Sequence, residues 1–500
     1  MNLPDLAHLC LREIVFLMQG CGLTASVFVG QLLAAIRGRD AQTRAVIEIN
    51  PDALAIAAER DAERAAGRLR GSLHGVPVLL KDNIDTADAM QTTAGSLALA
   101  GHRARADAFI VARLREAGAI ILGKANMSEW ANFRSSRSVS GWSSRGGQTR
   151  NPYALDRTPG GSSSGSAVAV AADYCPLAVG TETDGSITSP AAMNGIVGIK
   201  PTLGLVSRRG IVPVSRSQDT AGPMARTVAE AALLLEVLAG TDPEDPATAE
   251  ADERRPASYT AGLDEHGLEG ARIGVARSLA AYHEGIARIF GEAAARAEAA
   301  GAVLVEPLEL PPAERVRAAE LEVLLTDFRA DLDAYLEGLD PGAEVRSLAD
   351  VIAFNRANAD RVLRWFGQDL FERAMTKEPV GNPSYRAARE ECLRLTRDAL
   401  DAAFAACELD AILVPATCAP WRIDWVNGDH RLGSSAYLAA ISGYPSITVP
   451  AGLLHGLPVG VSFIGRPWSE ARLLRLAHAF ERAGEPRPVP GFAASLRVRD

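Results

Sequence analysis

The residues best suited to chemistry lie between Pro159 and Pro201, a stretch built largely of glycine, serine, alanine and threonine. Few of its side chains are large enough to serve only as core filling. Glycine has no Cβ, so the backbone amides and hydroxyls of such a stretch can approach a bound molecule closely. We therefore interpret this stretch as a functional site and ask which reaction it could carry out.

Two common motifs fit this stretch only in part. The run GGSSSGS is rich in backbone donors, as a phosphate site needs, but the sequence lacks the P-loop lysine and a GxGxxG pattern. Residues 161–165 match the GxSxG of an α/β-hydrolase nucleophile elbow. The elbow needs a preceding strand, whereas residues 150–160 contain two prolines and predict a loop, and its histidine would be His430, His455 or His478.

A third interpretation uses two serines and a lysine, a variant of the catalytic triad that needs no histidine. Serine at its ordinary pKa is a weak nucleophile and requires a base. A lysine can be that base when it is neutral, and complete burial lowers the pKa of a lysine by up to about 3–5 units. Lys81 stands at the end of the apolar run from Val76 to Leu80, where such burial is expected.

The segments that carry these residue types resemble the amidase signature family. GVPVLLKDNID holds Lys81, PGGSSSGS holds Ser162 and GTETDGSITSP holds Ser186. The separation of 24 residues between the two serines is the family's spacing. Blocks at 200–202, 207–226 and 443–452 are also similar, so the resemblance extends from about residue 24 to the C-terminal helix.

This resemblance implies a role for each matching residue. Lys81 is the base, Ser162 relays the proton and follows a cis peptide bond, and Ser186 is the nucleophile that becomes acylated. The oxyanion hole is expected from the backbone amides of Thr183, Asp184, Gly185 and Ser186. Loss of one donor from such a hole typically costs about 100- to 1,000-fold in rate. No metal and no cofactor is expected.

Asp184 and Thr188 depart from the family's common pattern, which has glycine and arginine at these positions. The departure argues against the branch that makes glutaminyl-tRNA within a larger amidotransferase complex. The segments TETDGSI, SEWANFR, WSSRGGQTRNP and SLADVIAFNRANAD instead resemble bacterial peptide amidases. These release ammonia from the C-terminal carboxamide of peptides. The alternatives are a general amidase or esterase acting on small aliphatic or aromatic amides, and a non-catalytic subunit or binding homologue.

The candidate catalytic residues also have structural interpretations. Lys81 could be a surface lysine paired with Asp82, since buried lysines are rare. Ser162 and Ser186 could cap neighbouring helices. Lys200 is a rival base, although a structural role is favoured for it.

Two acidic residues near the serines also have two possible roles. Asp184 either recognises substrate or braces the turn that contains it, and Asp219 either caps a turn or takes part in catalysis. Four aromatic residues are expected in the hydrophobic core rather than in contact with substrate: Trp130, Phe133, Trp365 and Phe366.

Predicted strands and helices must position these residues. Their order along the chain predicts an α/β fold, with a central mixed sheet flanked by helices on both faces. Residues 24–68 are predicted to be helical. A strand over 76–80, a helix over 106–117 and a strand over 119–122 follow, and a further helix begins at Lys124, capped by Asn126 or Ser128. This alternation favours a largely parallel arrangement around Lys81.

The second half predicts a helix over 227–240, a loop over 241–262, a strand over 272–276, a helix over 283–300 and a strand over 302–305. Almost all of 312–406 is predicted to be helical. Strands over 411–416, 446–452 and 458–465 and a helix over 470–483 complete the chain. We expect a single amidase domain over 1–500, with its catalytic core in 24–240, the helical region of about 312–406 over the active site, and a return to the sheet in 407–483.

Composition excludes several classes of partner. The formal net charge is −9 and no long basic cluster occurs, so neither nucleic acid nor an anionic membrane is an expected partner. The six cysteines form no CxxC pair and no HExxH is present, which argues against a metal. The expected partner is a small-molecule or short peptide amide substrate, with the protein a monomer or a homodimer.

The N-terminal region contains an uncharged run from Ile14 to Ile36, long enough to span a bilayer. Gly20 and Gly22 favour instead two amphipathic helices, the second capped by Thr24 or Ser26. The first ten residues lack the basic region of a signal peptide, so the sequence as written predicts a cytoplasmic protein.

Overall fold

The computed structural model describes residues 9–20 and 22–496. The strands within these residues are β1 Val46–Ile49, β2 Pro77–Lys81, β3 Ile120–Ala125, β4 Trp142–Ser143, β5 Gly147–Gln148, β6 Leu177–Glu182, β7 Val197–Lys200, β8 Thr220–Ala225, β9 Arg272–Val275, β10 Val303–Val305, β11 Ala411–Pro415, β12 Ser446–Leu454 and β13 Leu457–Ile464. Eleven of them form one mixed sheet in the order β1-β3-β2-β6-β8-β7-β12-β13-β11-β9-β10.

The helices connect these strands and cover both faces of the sheet, as the sequence predicts. Their bounds are α1 Leu11–Gly20, α2 Ala25–Thr43, α3 Ala53–Ala65, α4 Phe109–Glu116, α5 Ser164–Ala171, α6 Thr188–Met193, α7 Val228–Leu238, α8 Ala251–Arg254, α9 Glu284–Ala299, α10 Arg317–Glu337, α11 Leu348–Ala357, α12 Ala359–Val362, α13 Asp369–Ala374, α14 Pro383–Cys407, α15 Ala436–Ser442 and α16 Glu470–Arg482.

The core lies on both faces of the central strands. In β2, Val78 and Leu80 belong to the hydrophobic cluster that includes α4 and α7, while Leu79 belongs to the cluster that includes α2 and α5. Successive side chains of a strand point to opposite faces, so an unbroken apolar run fits a strand that is covered on both sides. Lys81, the last residue of β2, therefore lies on a strand with no solvent-facing side.

The sheet divides along the chain. Its strands from β1 to β8 all come from the first half and lie together, and β9 to β13 come from the second half. The two groups meet where β7 pairs antiparallel with β12, with Lys200 opposite Ser446. The proposed triad residues all belong to the first group or to the loops that follow its strands.

The N-terminal helix pair is confirmed. The first helix ends at Gly20, and α2 begins after Thr24, whose Oγ1 accepts a hydrogen bond from the backbone N–H of Val27 at 3.2 Å. None of the helices in the two described ranges is long and apolar enough to cross a membrane.

Two predicted helices are wrong. The expected helix over 24–68 is interrupted by β1, whose apolar and β-branched residues pair antiparallel with β3. The helix expected from Lys124 does not form, because β3 continues to Ala125. Trp130, Ala131 and Asn132 then adopt left-handed backbone angles, with φ of 49°, 55° and 68°. The loop predicted over 241–262 contains the one-turn helix α8.

Candidate active site

Lys81 lies at the carboxyl end of β2, which is hydrogen-bonded on both sides to parallel strands, β3 and β6. Its side chain is completely buried. The amine donates hydrogen bonds to Ser162 Oγ at 2.8 Å, to Thr181 Oγ1 at 2.8 Å and to the carbonyl oxygen of Thr181 at 3.1 Å. The sheet thus holds the Lys81 amine against the hydroxyl of Ser162.

Burial lowers the pKa of Lys81 to about 7, and the nearby charges of Asp219 and Glu182 partly oppose this fall. A neutral amine is therefore available near neutral pH, which a proton acceptor requires. The alternative of a surface lysine paired with Asp82 is wrong. The Asp82 carboxylate instead accepts hydrogen bonds from the backbone N–H of Gly95 and from Arg145.

Ser162 lies in the turn that precedes α5, and it is completely buried. The peptide bond between Gly161 and Ser162 is cis, as the family resemblance predicts. The next residue, Ser163, donates its backbone N–H to the carbonyl oxygen of Ser186 at 3.1 Å. This backbone contact brings the turn of Ser162 against the segment of Ser186.

The arrangement around Ser163 differs from a nucleophile elbow. Its hydroxyl donates to the carbonyl oxygen of Thr181 at 3.0 Å and accepts the backbone N–H of Thr181 at 3.2 Å. Residues 150–160 form turns rather than a strand. In the part of the chain that the structure describes, no histidine hydrogen-bonds to Ser163.

Ser186 lies between β6 and α6 and is 7% exposed. Gly185 before it has a φ of +77°, and a Cβ there would lie 2.9 Å from the hydroxyl of Ser189. The Glu182 carboxylate accepts the backbone N–H groups of Ile187 at 2.7 Å and Thr188 at 2.9 Å. Because a carboxylate satisfies the free N–H groups at a helix start, Glu182 fixes the segment that presents Ser186.

Thr183, the first residue of the predicted oxyanion hole, is held at two points. Its carbonyl oxygen accepts Nε2 of Gln218 at 3.1 Å, and its hydroxyl donates to Oδ1 of Asp219 at 2.6 Å. The other oxygen of Asp219 accepts the backbone N–H groups of Val214 and Ser215 at 2.7 and 2.9 Å, so Asp219 caps this turn. Sequence reasoning missed Gln218, although its place beside Asp219 was a usable signal.

Thr181 and Asn83 were also missed. Thr181 supplies two of the three acceptors of the Lys81 amine, and Asn83 Nδ2 donates to the same threonine hydroxyl at 3.0 Å. Both residues belong to the motifs that contain Lys81 and Ser186. Their positions two residues after the lysine and five before the serine place them on the same sheet edge, which was the available signal.

Lys200 is the second buried lysine near the site. Burial lowers its pKa to about 8, and its amine donates to the carbonyl oxygen of Pro201 at 2.8 Å. Within residues 9–20 and 22–496, it makes no hydrogen bond to Ser162 or Ser186. This geometry fits the structural role that the sequence favours for Lys200.

Asp184 is partly exposed and faces charged residues from distant segments. Its burial raises its pKa, while Arg431 and Arg317 oppose the rise. Glu320 on α10 is 7% exposed, and burial together with the charge of Asp184 raises its pKa more strongly. Glu320 accepts Nε2 of Gln218 at 3.1 Å, which connects this acidic pair to the backbone of Thr183.

A cavity of about 430 Å³ adjoins the Lys81 network. Its inner wall includes Asn83, Thr181, Thr183 and Asp219, and its outer rim carries arginines in ion pairs. The remaining inner wall is formed by Ala131 and the apolar residues 211–214. The cavity therefore leads from the protein surface to the groups that surround the lysine amine.

Three of the aromatic residues expected in the core are buried there. Trp130 packs edge-on against Phe371, Phe133 packs against Phe328, and Phe366 packs against Trp142. Trp365 is only partly buried and stacks on Trp425. The described cysteines are all free thiols, and in the described ranges no group of three or more His, Cys, Asp or Glu side chains is arranged to hold a metal ion.

Comparison with known proteins gives a match to the amidase family over residues 28–474. A probable amidase from Arabidopsis thaliana is 43% identical over 486 residues, covering 94% of this chain and 89% of the relative. The X-ray structure of the native peptide amidase from Stenotrophomonas maltophilia is 49% identical with a TM-score of 0.92, covering 98% of this chain and 99% of that one. A glutamyl-tRNA(Gln) amidotransferase subunit from Symbiobacterium thermophilum is 39% identical over 451 residues, covering 86% of this chain and 88% of the relative.

Proposed function

We propose, since this chain belongs to the amidase family and is a hydrolase of amide C–N bonds, that its substrate is the C-terminal carboxamide of a peptide. The products would be the peptide acid and ammonia. The observation that carries this proposal is the buried contact between the Lys81 amine and Ser162 Oγ, joined to Ser186 through the backbone of Ser163. The likeness to the Stenotrophomonas maltophilia peptide amidase supports the peptide substrate.

The proposed reaction begins with proton transfer. Neutral Lys81 takes the proton of Ser162, and Ser162 takes the proton of Ser186 as Ser186 Oγ attacks the carbonyl carbon. The new C–O bond places negative charge on the carbonyl oxygen, where the backbone N–H groups of Thr183, Asp184 and Gly185 are proposed to stabilise it. The hydrogen bonds from Gln218 and to Asp219 support this assignment, because they hold the backbone of Thr183 in place.

The second half returns the enzyme to its starting state. The C–N bond breaks as Ser162 gives its proton to the leaving nitrogen, which departs as ammonia and leaves an acyl ester on Ser186. Lys81 returns its proton to Ser162 and is again neutral. Water then attacks the ester carbonyl, giving a proton to the same relay. Cleavage of the C–O bond releases the carboxylic acid and restores the hydroxyl of Ser186.

We also propose that the chain acts as one catalytic unit in which the helices of about 312–406 cover the site. Two contacts of α10 support this arrangement. Glu320 accepts a hydrogen bond from Gln218, and the hydroxyl of Tyr335 donates to Asp85 at 3.0 Å. These contacts join α10 to the turns that follow β2 and precede β8.

The test is ammonia release from an amidated dipeptide by the purified chain. Ser186→Ala is expected to abolish release, and activity at the wild-type level in that variant would disprove the mechanism. A panel of peptide amides, free amino-acid amides and acetamide tests the substrate class. Faster turnover of acetamide or of simple aromatic amides than of peptide amides would favour a general amidase instead.

The likeness to a subunit of a glutamyl-tRNA(Gln) amidotransferase supports a second candidate, amide transfer to glutamyl-tRNA(Gln) inside a complex. The same assay separates the two functions. The proposed peptide amidase is expected to work without another protein. Activity that appears only when partner proteins and glutamyl-tRNA(Gln) are added would favour the second candidate.

A further inference from the structure

Asp184 is a carboxylate without a partner beside the proposed nucleophile. It lies two residues before Ser186 and is partly exposed. Among the residues that the structure describes, none donates a hydrogen bond to Asp184 or forms an ion pair with it within 4.0 Å. Its neighbours differ in this respect, because Glu182 accepts three donors and Asp219 accepts three. Asp184 therefore does not brace its own turn.

The surroundings of Asp184 keep it available as an acceptor. Burial raises the pKa of Asp184 to about 6, and the exposed Arg431 and Arg317 oppose this rise without contacting the carboxylate, so Asp184 is ionised at pH 8. Glu320 is more deeply buried, and the charge of Asp184 favours the protonated form of Glu320. Both effects favour negative charge on Asp184 rather than on Glu320. Tyr437 and Glu182 are the other titratable groups that act with Asp184.

We propose that the carboxylate of Asp184 accepts the N–H group on the α-carbon of the residue that bears the scissile carboxamide. This assignment rests on the proposed function. When the carbonyl carbon is held at Ser186, the α-carbon is the next atom along the acyl side, and its nitrogen lies one bond further. Asp184 lies on the proposed oxyanion segment, two residues before the nucleophile, so the proposal places its carboxylate beside that nitrogen.

Such a contact would make Asp184 the residue that distinguishes peptide amides from simple amides. Acetamide and aromatic amides have no N–H at this position, whereas a peptide amide has one unless its last residue is proline. A hydrogen bond to a charged group contributes enough for a difference of about 10- to 100-fold in kcat/KM. A free amino-acid amide offers an ammonium group at the same place, so the shared chemistry is an N–H donor on the α-carbon.

The experiment compares two substrates that differ in one group, an N–H in the first and an oxygen in the second. N-acetylalanine amide carries the α-N–H, and O-acetyl-lactamide has an ester oxygen in its place. At pH 8 the wild-type enzyme is expected to prefer the first by about 10- to 100-fold in kcat/KM. Asp184→Ala is expected to bring the ratio close to one, and Asp184→Asn, which keeps a neutral acceptor, to give an intermediate ratio. Alanine amide then tests whether an ammonium is accepted as well.

Glu320→Gln is the matched control, because it removes the neighbouring carboxyl and leaves the proposed acceptor in place. It is expected to keep the wild-type ratio. If Asp184→Ala lowers kcat/KM equally for both substrates, their ratio is unchanged. That result would show that Asp184 acts only on the turn and would overturn the assignment. A wild-type ratio of one would overturn it too, while the proposed function stands. Failure of the wild-type enzyme on every peptide amide would instead refute the proposed function.

Discussion

Replacement of Lys81 by methionine should abolish activity. The same substitution should destabilise the folded protein at high pH and stabilise it at low pH. The fall of the lysine pKa from 10.5 to about 7 in the folded protein corresponds to about 5 kcal/mol. The unfolded chain takes up a proton below pH 10.5, but the folded one does so only below about 7. The cost of burying the amine is therefore absent above pH 10.5, grows as the pH falls, and is constant below about 7.

Methionine removes this cost together with the three hydrogen bonds of the amine. The lost bonds are worth about 3 kcal/mol and do not depend on pH. The variant should therefore be less stable than the wild-type protein by about 3 kcal/mol at pH 10.5 and more stable by about 2 kcal/mol at pH 6. Thermal and urea unfolding of both proteins between pH 6 and 10.5 measure this difference.

Lys124→Met is the matched control for Lys81→Met. Lys124 is also completely buried, but four carboxylates surround it: Glu48, Asp82, Asp85 and Asp88. Arg145 and Arg115 pair with three of these carboxylates, but the buried Asp85 would lose the positive charge near it, so at pH 8 this variant should be destabilised by about 3–5 kcal/mol. A stability difference for Lys81→Met that does not change with pH would refute the reasoning about the Lys81 amine.

Further outcomes follow from the same contacts. Ser162→Ala should reduce kcat far more than Ser163→Ala, whose hydroxyl only bonds backbone; the opposite ranking would favour a nucleophile elbow. Asp219→Asn removes a charge that raises the pKa of Lys81, so the acidic limb of the pH profile of kcat/KM should move to lower pH; a shift to higher pH would contradict this. Gly165→Ala should lower the melting temperature, because its Cβ would clash with two carbonyl oxygens, whereas Gly38→Ala, on the open side of α2, should not. Dialysis against EDTA should leave ammonia release unchanged; inhibition that zinc reverses would contradict a lysine and serine mechanism.

Local patterns were sufficient to predict much of the fold. The unbroken apolar run before Lys81 predicted a strand with the lysine at its buried end, and that burial accounts for the lowered pKa of the amine. Thr24 and Gly20 predicted where α2 begins and where α1 ends. In each case the deciding interactions lie within a few residues of one another, so the sequence contains them directly.

The errors concern interactions between distant residues. Residues 46–49 form a strand because β3, some 75 residues later, offers a free edge. Trp130, Ala131 and Asn132 adopt left-handed backbone angles although none of them is glycine, the residue that usually marks such angles in a sequence. A helix was predicted there because the local pattern permits one, and tertiary contacts decide against it.

The candidate site shows the same division. Thr181 and Asn83 lie inside motifs that the sequence made visible, and only their hydrogen bonds to each other and to Lys81 required the structure. Glu320 and Arg431 come from segments more than 100 residues apart, and neither has a local pattern that marks it. Their meeting beside Asp184 depends on how α10 and the segment before α15 pack, which no spacing in the sequence encodes.

The order of the strands has a consequence for how such a protein can diverge. The residues proposed to carry out the reaction all lie in the first half of the chain, on β2 or in loops, while Glu320, Arg317 and Arg431 belong to the second half. Substitutions in the second half can therefore change the charges near Asp184 without replacing Lys81 or the serines. We therefore expect relatives with the same catalytic residues to differ in substrate preference mainly through changes in the second half of the chain.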